Sequence, residues 1–124
     1  MVVDDSKTIR DLISMNLELE GYDVVTAGNG QECLDYLAQV AAGAAPSTQL
    51  LMLDVVMPGI DGVELTARLK ATPATAEIPI LIVSASAQRR DFELARGAGA
   101  DGYLTKPFAP DELLAEVARL ILPA

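Results

Sequence analysis

Short runs of Val, Ile and Leu recur along this chain, each followed by a longer stretch whose apolar residues fall three and four positions apart. The runs are Val2-Val3, Val24-Val25, Leu50 to Leu53, Ile80 to Val83 and Gly102 to Leu104. All but the last are apolar throughout, with none of the in-out alternation of a sheet wetted on one side. Strands of that kind are covered by helices on both faces, so the pattern predicts an α/β fold around a parallel sheet.

The intervening segments carry helix signals. Ser6 to Glu20 places Ile9, Leu12, Ile13 and Leu17 on one stripe, with Gly21 as its stop. Asn29 can cap a second helix bearing Cys33, Leu34, Leu37 and Val40, which gives way to a soft stretch from Ala41 to Thr48. A third spans about Asp61 to Ala71, and a fourth starts near Ala87 and ends at Gly97 and Gly99. A fifth has Pro110 in its first turn and carries Leu113, Leu114, Val117 and Ile121. The reading is one domain over residues 1–124, without repeat or low-complexity tail. Its weak point is the first strand, only Met1 to Val3 long, which is expected to lower stability if it lies inside the sheet, or to mark missing upstream residues.

Charge and composition narrow the function. Nine basic against eighteen acidic side chains give a net charge of −9, which would repel phosphate backbones and argues against direct nucleic-acid binding. The longest apolar runs are too short to span a bilayer, and neither a leader pattern nor a cysteine pair is present, so a cytoplasmic protein that is not membrane-bound is expected. With no histidine, the chain can supply neither a His-based triad nor a phosphohistidine, and any histidine in its chemistry comes from a partner.

In a parallel α/β sheet, ligands bind beyond the carboxyl ends of the strands. The residues there are Asp4 and Asp5 after the first strand, Asp54 after the third, Ser84 and Ala85 after the fourth, and Lys106 with Pro107 after the fifth. Three crowded carboxylates become tolerable around a hard divalent cation, and Mg²⁺ suits an all-oxygen ligand set. Asp54 is then placed to attack a phosphoryl donor, Lys106 to bind a phosphoryl oxygen and Ser84 to donate to another. Each residue taken singly has a duller role: Asp4-Asp5 as helix cap and loop acid, the Pro58-Gly59 segment as a turn, Ser84 as a strand-end hydrogen bonder, Lys106 as a surface amine. The convergence of all five groups on one sheet edge favours the chemistry.

The stretches Val2-Val3-Asp4-Asp5-Ser6, Asp54 with Met57-Pro58-Gly59-Ile60-Asp61-Gly62, Ser84-Ala85, and Gly99 through Lys106-Pro107-Phe108 together resemble the response-regulator receiver domain of two-component signalling. The resemblance covers essentially the whole chain. It implies a doubly wound, flavodoxin-like sheet of strand order 2-1-3-4-5 and a cis Lys106-Pro107 bond. It further implies Asp54 as phosphoacceptor and metal ligand, Asp5 as direct metal ligand, Asp4 as a ligand through water, and the Val56 backbone carbonyl as another. Lys106 would contact the phosphate, while Ser84 and the Tyr103 ring would turn inward on activation. The implied partners are a sensor histidine kinase or histidine phosphotransfer protein, and a downstream protein or an output domain missing from this sequence. The implied readout is a changed surface on the fourth helix, fifth strand and fifth helix, a surface that also allows a homodimer and where Arg89, Arg90, Phe92 and Leu94 are candidate contacts.

The resemblance therefore implies a switch that supports its own phosphotransfer and slow autodephosphorylation, without turnover on an external substrate. Apolar Val56 beside the phosphoryl group predicts slow hydrolysis. The stretch from Ala41 to Gln49 is longer than the family usually has. Three other readings compete. A phosphorylation-independent adaptor or dimerisation module would not need the complete Asp, Ser and Lys set. An aspartyl phosphatase would want a second acid where Val56 stands. A flavodoxin-like FMN carrier would place Asp4 and Asp5 against its phosphate.

Overall fold

Five parallel strands form one sheet in the order β2-β1-β3-β4-β5. The strands are β1 (Val2–Val3), β2 (Thr26–Ala27), β3 (Leu51–Asp54), β4 (Ile80–Ser84) and β5 (Gly102–Thr105). The helices between them are α1 (Lys7–Leu19), α2 (Gly30–Ala41), α3 (Gly62–Lys70), α4 (Arg89–Ala98) and α5 (Pro110–Ile121). This computed structural model describes residues 1–121. The fold class and strand order are those expected; the last three residues of the one-domain reading, 122–124, lie outside those described.

Strand pleat divides the core in two. Leu51, Leu53, Ile80 and Ile82 face one side, where Cys33, Leu37, Leu65, Leu69 and Ala95 from α2, α3 and α4 pack on them. Met52, Leu81 and Val83 face the other, against Ile13 and Leu17 of α1 and Leu113 and Val117 of α5. This two-sided burial makes the central strands apolar at every position. No helix among the described residues is long and apolar enough to cross a membrane.

Most helix starts follow the capping signals. The Ser6 hydroxyl accepts from the Ile9 amide, and Asp61 accepts from the Glu64 amide at 2.8 Å. The Asn29 side-chain oxygen accepts from the Glu32 amide at 2.9 Å while its side-chain nitrogen donates to the Glu32 carboxylate, a reciprocal pair at the start of α2. Gly99 ends α4 at φ 109°, a left-handed conformation that suits glycine, so Gly97 is interior to the helix instead of ending it.

Two strand expectations shift. The second strand is Thr26–Ala27, not Val24-Val25, because β1 pairs Val2 with Thr26 and Val3 with Ala27. Val25 contributes only its carbonyl, which accepts from the Val2 amide at 2.8 Å, and at this sheet edge its side chain is exposed. Asp54 and Ser84 are the last residues of their strands instead of the first beyond them, which fixes their backbones in the ladder. The brief β1 does lie inside the sheet, with both valines 1% exposed. The expected cis Lys106–Pro107 bond is present. Between α2 and β3, the Tyr36 hydroxyl donates to the Pro46 carbonyl at 3.3 Å and ties the long loop back to α2.

The loop from Asp54 to α3 closes tightly. The Gly62 amide donates to the Val55 carbonyl at 2.9 Å, and a Cβ on Gly62 would lie 2.2 Å from the Asp54 carbonyl oxygen. Gly62 is needed for close approach, since its φ is not positive. Gly62→Ala is therefore expected to lose at least about 2 kcal/mol of stability through forced backbone movement. Gly97→Ala, in open space inside α4, is expected to gain up to about 1 kcal/mol from helix propensity. Chemical denaturation of the two variants checks this opposition of sign.

Candidate functional site

The strand ends bring Asp4, Asp5 and Asp54 together so that one carboxylate oxygen of each lies within 4.8 Å of the others. Asp4 is 2% exposed and Asp54 9%, while Asp5 faces solvent. Lys106 reaches in from the end of β5, its Nζ 2.9 Å from Asp4 Oδ2 and 3.3 Å from Asp54 Oδ1. One ammonium against three carboxylates leaves the cluster with an excess of negative charge in a half-buried setting, where charges are poorly screened.

Asp4 is the most firmly held. Its Oδ1 accepts from the Ser6 amide at 2.9 Å, Oδ2 accepts from Lys106, and its backbone carbonyl accepts from Arg10 Nη1 at 2.7 Å. Asp54 is held less. Burial, then the neighbouring charge of Asp4, pushes its carboxyl above the ordinary 3.8, and the ammonium of Lys106 offsets only part of this. Burial alone would lower Lys106, but its hydrogen bond to Asp4 and the charge of Asp54 outweigh this and raise it. An all-oxygen donor set with unbalanced negative charge fits a hard divalent cation such as Mg²⁺ and suits neither a thiolate-seeking nor an imidazole-seeking metal.

Other expected residues lie near this cluster without bonding to it. Ser84 is buried at the end of β4, and its hydroxyl accepts from the Ser86 amide at 3.1 Å. Tyr103 is half-buried on β5, packs against Phe92 with ring centroids 5.5 Å apart, and donates its hydroxyl to the Ser86 carbonyl at 2.8 Å. Val56, two residues beyond Asp54, projects its side chain into solvent at 79% exposure. A cavity of about 490 Å³ runs from Val56 past Ser84 to Leu94. Cys33 takes no part, buried in the core with its thiol pushed up to about 11 by that burial.

The sequence reading passed over four contributors. Arg10 carries no signal, since an arginine on an amphipathic helix is ordinarily solvated. Ser86 and Asp91 carry no signal in the sequence either, and only the folded loop brings them into hydrogen-bond contact. Gly62 was seen as a turn glycine, with nothing to reveal the approach of the Asp54 carbonyl.

Residues 1–118 match the family model described as the response regulator receiver domain. The chain belongs to the response-regulator receiver domain family. It is 39% identical to the DNA-binding dual master transcriptional regulator RpaA of Synechocystis over 98% of this chain and 48% of RpaA. Its structure is similar to chemotaxis protein CheY4 of Vibrio cholerae, with a TM-score of 0.84 and 31% identity over 96% of this chain and 94% of CheY4. It is also similar to response regulator TrrA of Thermotoga maritima, solved in complex with Mg²⁺-BeF, with a TM-score of 0.80 and 34% identity over 96% and 95% of the two chains. The chain spans about half the length of the curated relatives it matches. As a receiver domain homologous to two-component response regulators, it is a signalling protein of the phosphorylation-switch type.

The receiver's acidic cluster makes a prediction for metal-free protein. The folded state holds the Asp54 proton to higher pH than the unfolded chain does, so stability falls as pH rises from 3.8 through the raised folded value. Asp54→Asn removes that penalty. At neutral pH in chelator its Tm is expected to exceed that of wild type. Calorimetry of both proteins checks it.

Proposed function

We propose that this receiver domain takes a phosphoryl group from a partner's phosphohistidine onto Asp54 and signals through the resulting change in its α4, β5 and α5 surface. The observation that carries the reading is the Asp4, Asp5 and Asp54 cluster bridged by Lys106. Asp5, Asp54 and the Val56 carbonyl would hold Mg²⁺ directly and Asp4 through water. When bound, the cation neutralises charge on the phosphoryl oxygens during transfer.

The protein's own groups do the remainder. An Asp54 oxygen forms the new O–P bond as the donor's P–N bond breaks, its electron pair leaving with the imidazole nitrogen. Lys106, already anchored by Asp4, keeps its ammonium beside Asp54 and receives a phosphoryl oxygen without having to find its place. The Ser84 hydroxyl stops accepting from the Ser86 amide and turns to donate to another phosphoryl oxygen. The added charge of about −2 then biases an existing equilibrium of the α4, β5 and α5 region. Exposed Val56 offers no polar group to orient an attacking water, which supports a long-lived aspartyl phosphate.

The partners are a sensor histidine kinase or histidine phosphotransfer protein on the input side, and a joined output domain or separate protein on the other. RpaA is named as DNA-binding and the chain matches only about half of it, which supports a joined output domain over direct nucleic-acid contact by this acidic receiver.

Incubation with Mg²⁺ and a small acyl-phosphate donor, followed by intact-mass measurement, is expected to add one phosphoryl group. Asp54→Asn abolishes the gain, Lys106→Met slows it by about a hundredfold as expected for loss of a charged transition-state donor, and Val56→Asn shortens the lifetime of the adduct. No gain by a folded sample that also fails to bind Mg²⁺ with BeF₃⁻ would instead favour a phosphorylation-independent adaptor.

A further inference from the structure

Between the buried end of β4 and the start of α4, Ser86 commits every polar atom it has. Its amide donates to the Ser84 hydroxyl at 3.1 Å, and its carbonyl accepts from the Tyr103 hydroxyl at 2.8 Å. Its own hydroxyl donates to the Asp91 carboxylate and accepts from the Gln88 amide at 3.2 Å. Ser84 and Tyr103 are therefore joined through the two ends of one residue, and that residue is tied by its side chain to the first turn of α4.

Tyr103 is drawn in. Its ring packs on Phe92 and on the core, and its hydroxyl lies on the loop. Ser84, in contrast, still serves the Ser86 amide. What holds the Ser86 carbonyl beneath the Tyr103 hydroxyl is the position of the loop, and the loop is held by Ser86 Oγ on Asp91. Gln88, at the N-cap position of α4, makes no side-chain cap, so the Ser86 hydroxyl, through the Asp91 carboxylate and the Gln88 amide, is the side-chain tie between loop and helix start.

We infer that Ser86 and Asp91 form a tether that sets the resting position of Tyr103, making them positioning residues for the switch. The tether holds the aromatic half of the switch inward before any phosphoryl group arrives and leaves Ser84 as the half that responds. Its role as a bias on signalling rests on the proposed phosphotransfer at Asp54, but its effect on Tyr103 in the unloaded protein does not. A hydroxyl donating to a carboxylate is a strong hydrogen bond, and its removal should lower the inward-to-outward ratio of Tyr103 by about tenfold.

The test uses the whole chain labelled with fluorotyrosine, with the Tyr103 resonance assigned by Tyr103→Phe and its solvent exposure read by fluorine NMR. Ser86→Ala and Asp91→Ala remove the Ser86–Asp91 bond from opposite ends, Ser86→Ala also losing the bond from the Gln88 amide, and thermal unfolding confirms that each remains folded. Both are expected to move Tyr103 toward the exposed position, Ser86→Thr to keep it inward, and the double variant to do no more than Ser86→Ala alone. Adding Mg²⁺ with BeF₃⁻ should return Tyr103 inward in the variants. Tyr103 staying inward in both folded single variants, or the double variant summing two separate effects, overturns the tether. Failure of BeF₃⁻ to bind wild type overturns the Asp54 reading instead, and the unloaded comparison still decides the tether.

Discussion

A single ammonium group organises the carboxyl edge of this sheet. Lys106 Nζ lies within ion-pair distance of both Asp4 and Asp54, two carboxylates that would otherwise repel each other in a half-buried pocket. Their burial is costly without a counter-charge, and a single lysine meets only part of that cost. The remainder is visible as the raised proton affinity of Asp54. The site is thus poised for more positive charge at Asp54 and Asp5, while Asp4, whose two oxygens already serve Lys106 and the Ser6 amide, acts as the anchor. In the proposed switch this division lets the nucleophile remain reactive while the lysine remains in place.

The scaffold meets the site's demands through backbone ladders more than through loops. Asp54 and Ser84 belong to strands paired on both sides, and each sits above residues that are essentially unexposed. Gly62 then turns the chain so closely over the Asp54 carbonyl that α3 begins at once, and its Thr66 hydroxyl donates back to the Gly62 carbonyl at 2.7 Å. At the opposite edge Lys70 reaches from the end of α3 to Asp101 at 3.0 Å, and Asp101 accepts from the Ile80 amide at 2.9 Å. The starts of β4 and β5 are therefore clamped to α3. Rigid strand bases beneath a β4–α4 loop held through Ser86 are what the proposed switch requires, because a small charge change can then exchange a few hydrogen bonds without unfolding the sheet.

Much of this was legible from one-dimensional pattern. Buried parallel strands read as continuous apolar runs, so the α/β class followed from Leu50 to Leu53 and Ile80 to Val83, and the rule that ligands sit beyond strand ends located the acids, Ser84 and Lys106. The second strand was misplaced by two residues because Val24 and Val25 have the stronger β preference, while the partner is chosen by register with Val2 and Val3. Edge strands have one pairing side and an exposed face, and there composition is a poor guide.

The sequence by itself determined the alternation of elements, the helix caps at Ser6, Asn29 and Asp61, and the identities of the groups at the sheet edge. These depend on periodicity and on hydrogen bonds spanning three or four residues, which are local properties of the chain. Only the tertiary structure decided that Lys106 bonds Asp4 across 102 positions, that Arg10 holds the Asp4 carbonyl, and that Ser86 links Ser84, Tyr103 and Asp91. Such contacts are fixed by how helices seat on a sheet and how loops close over its end, and no local preference of the residues encodes them.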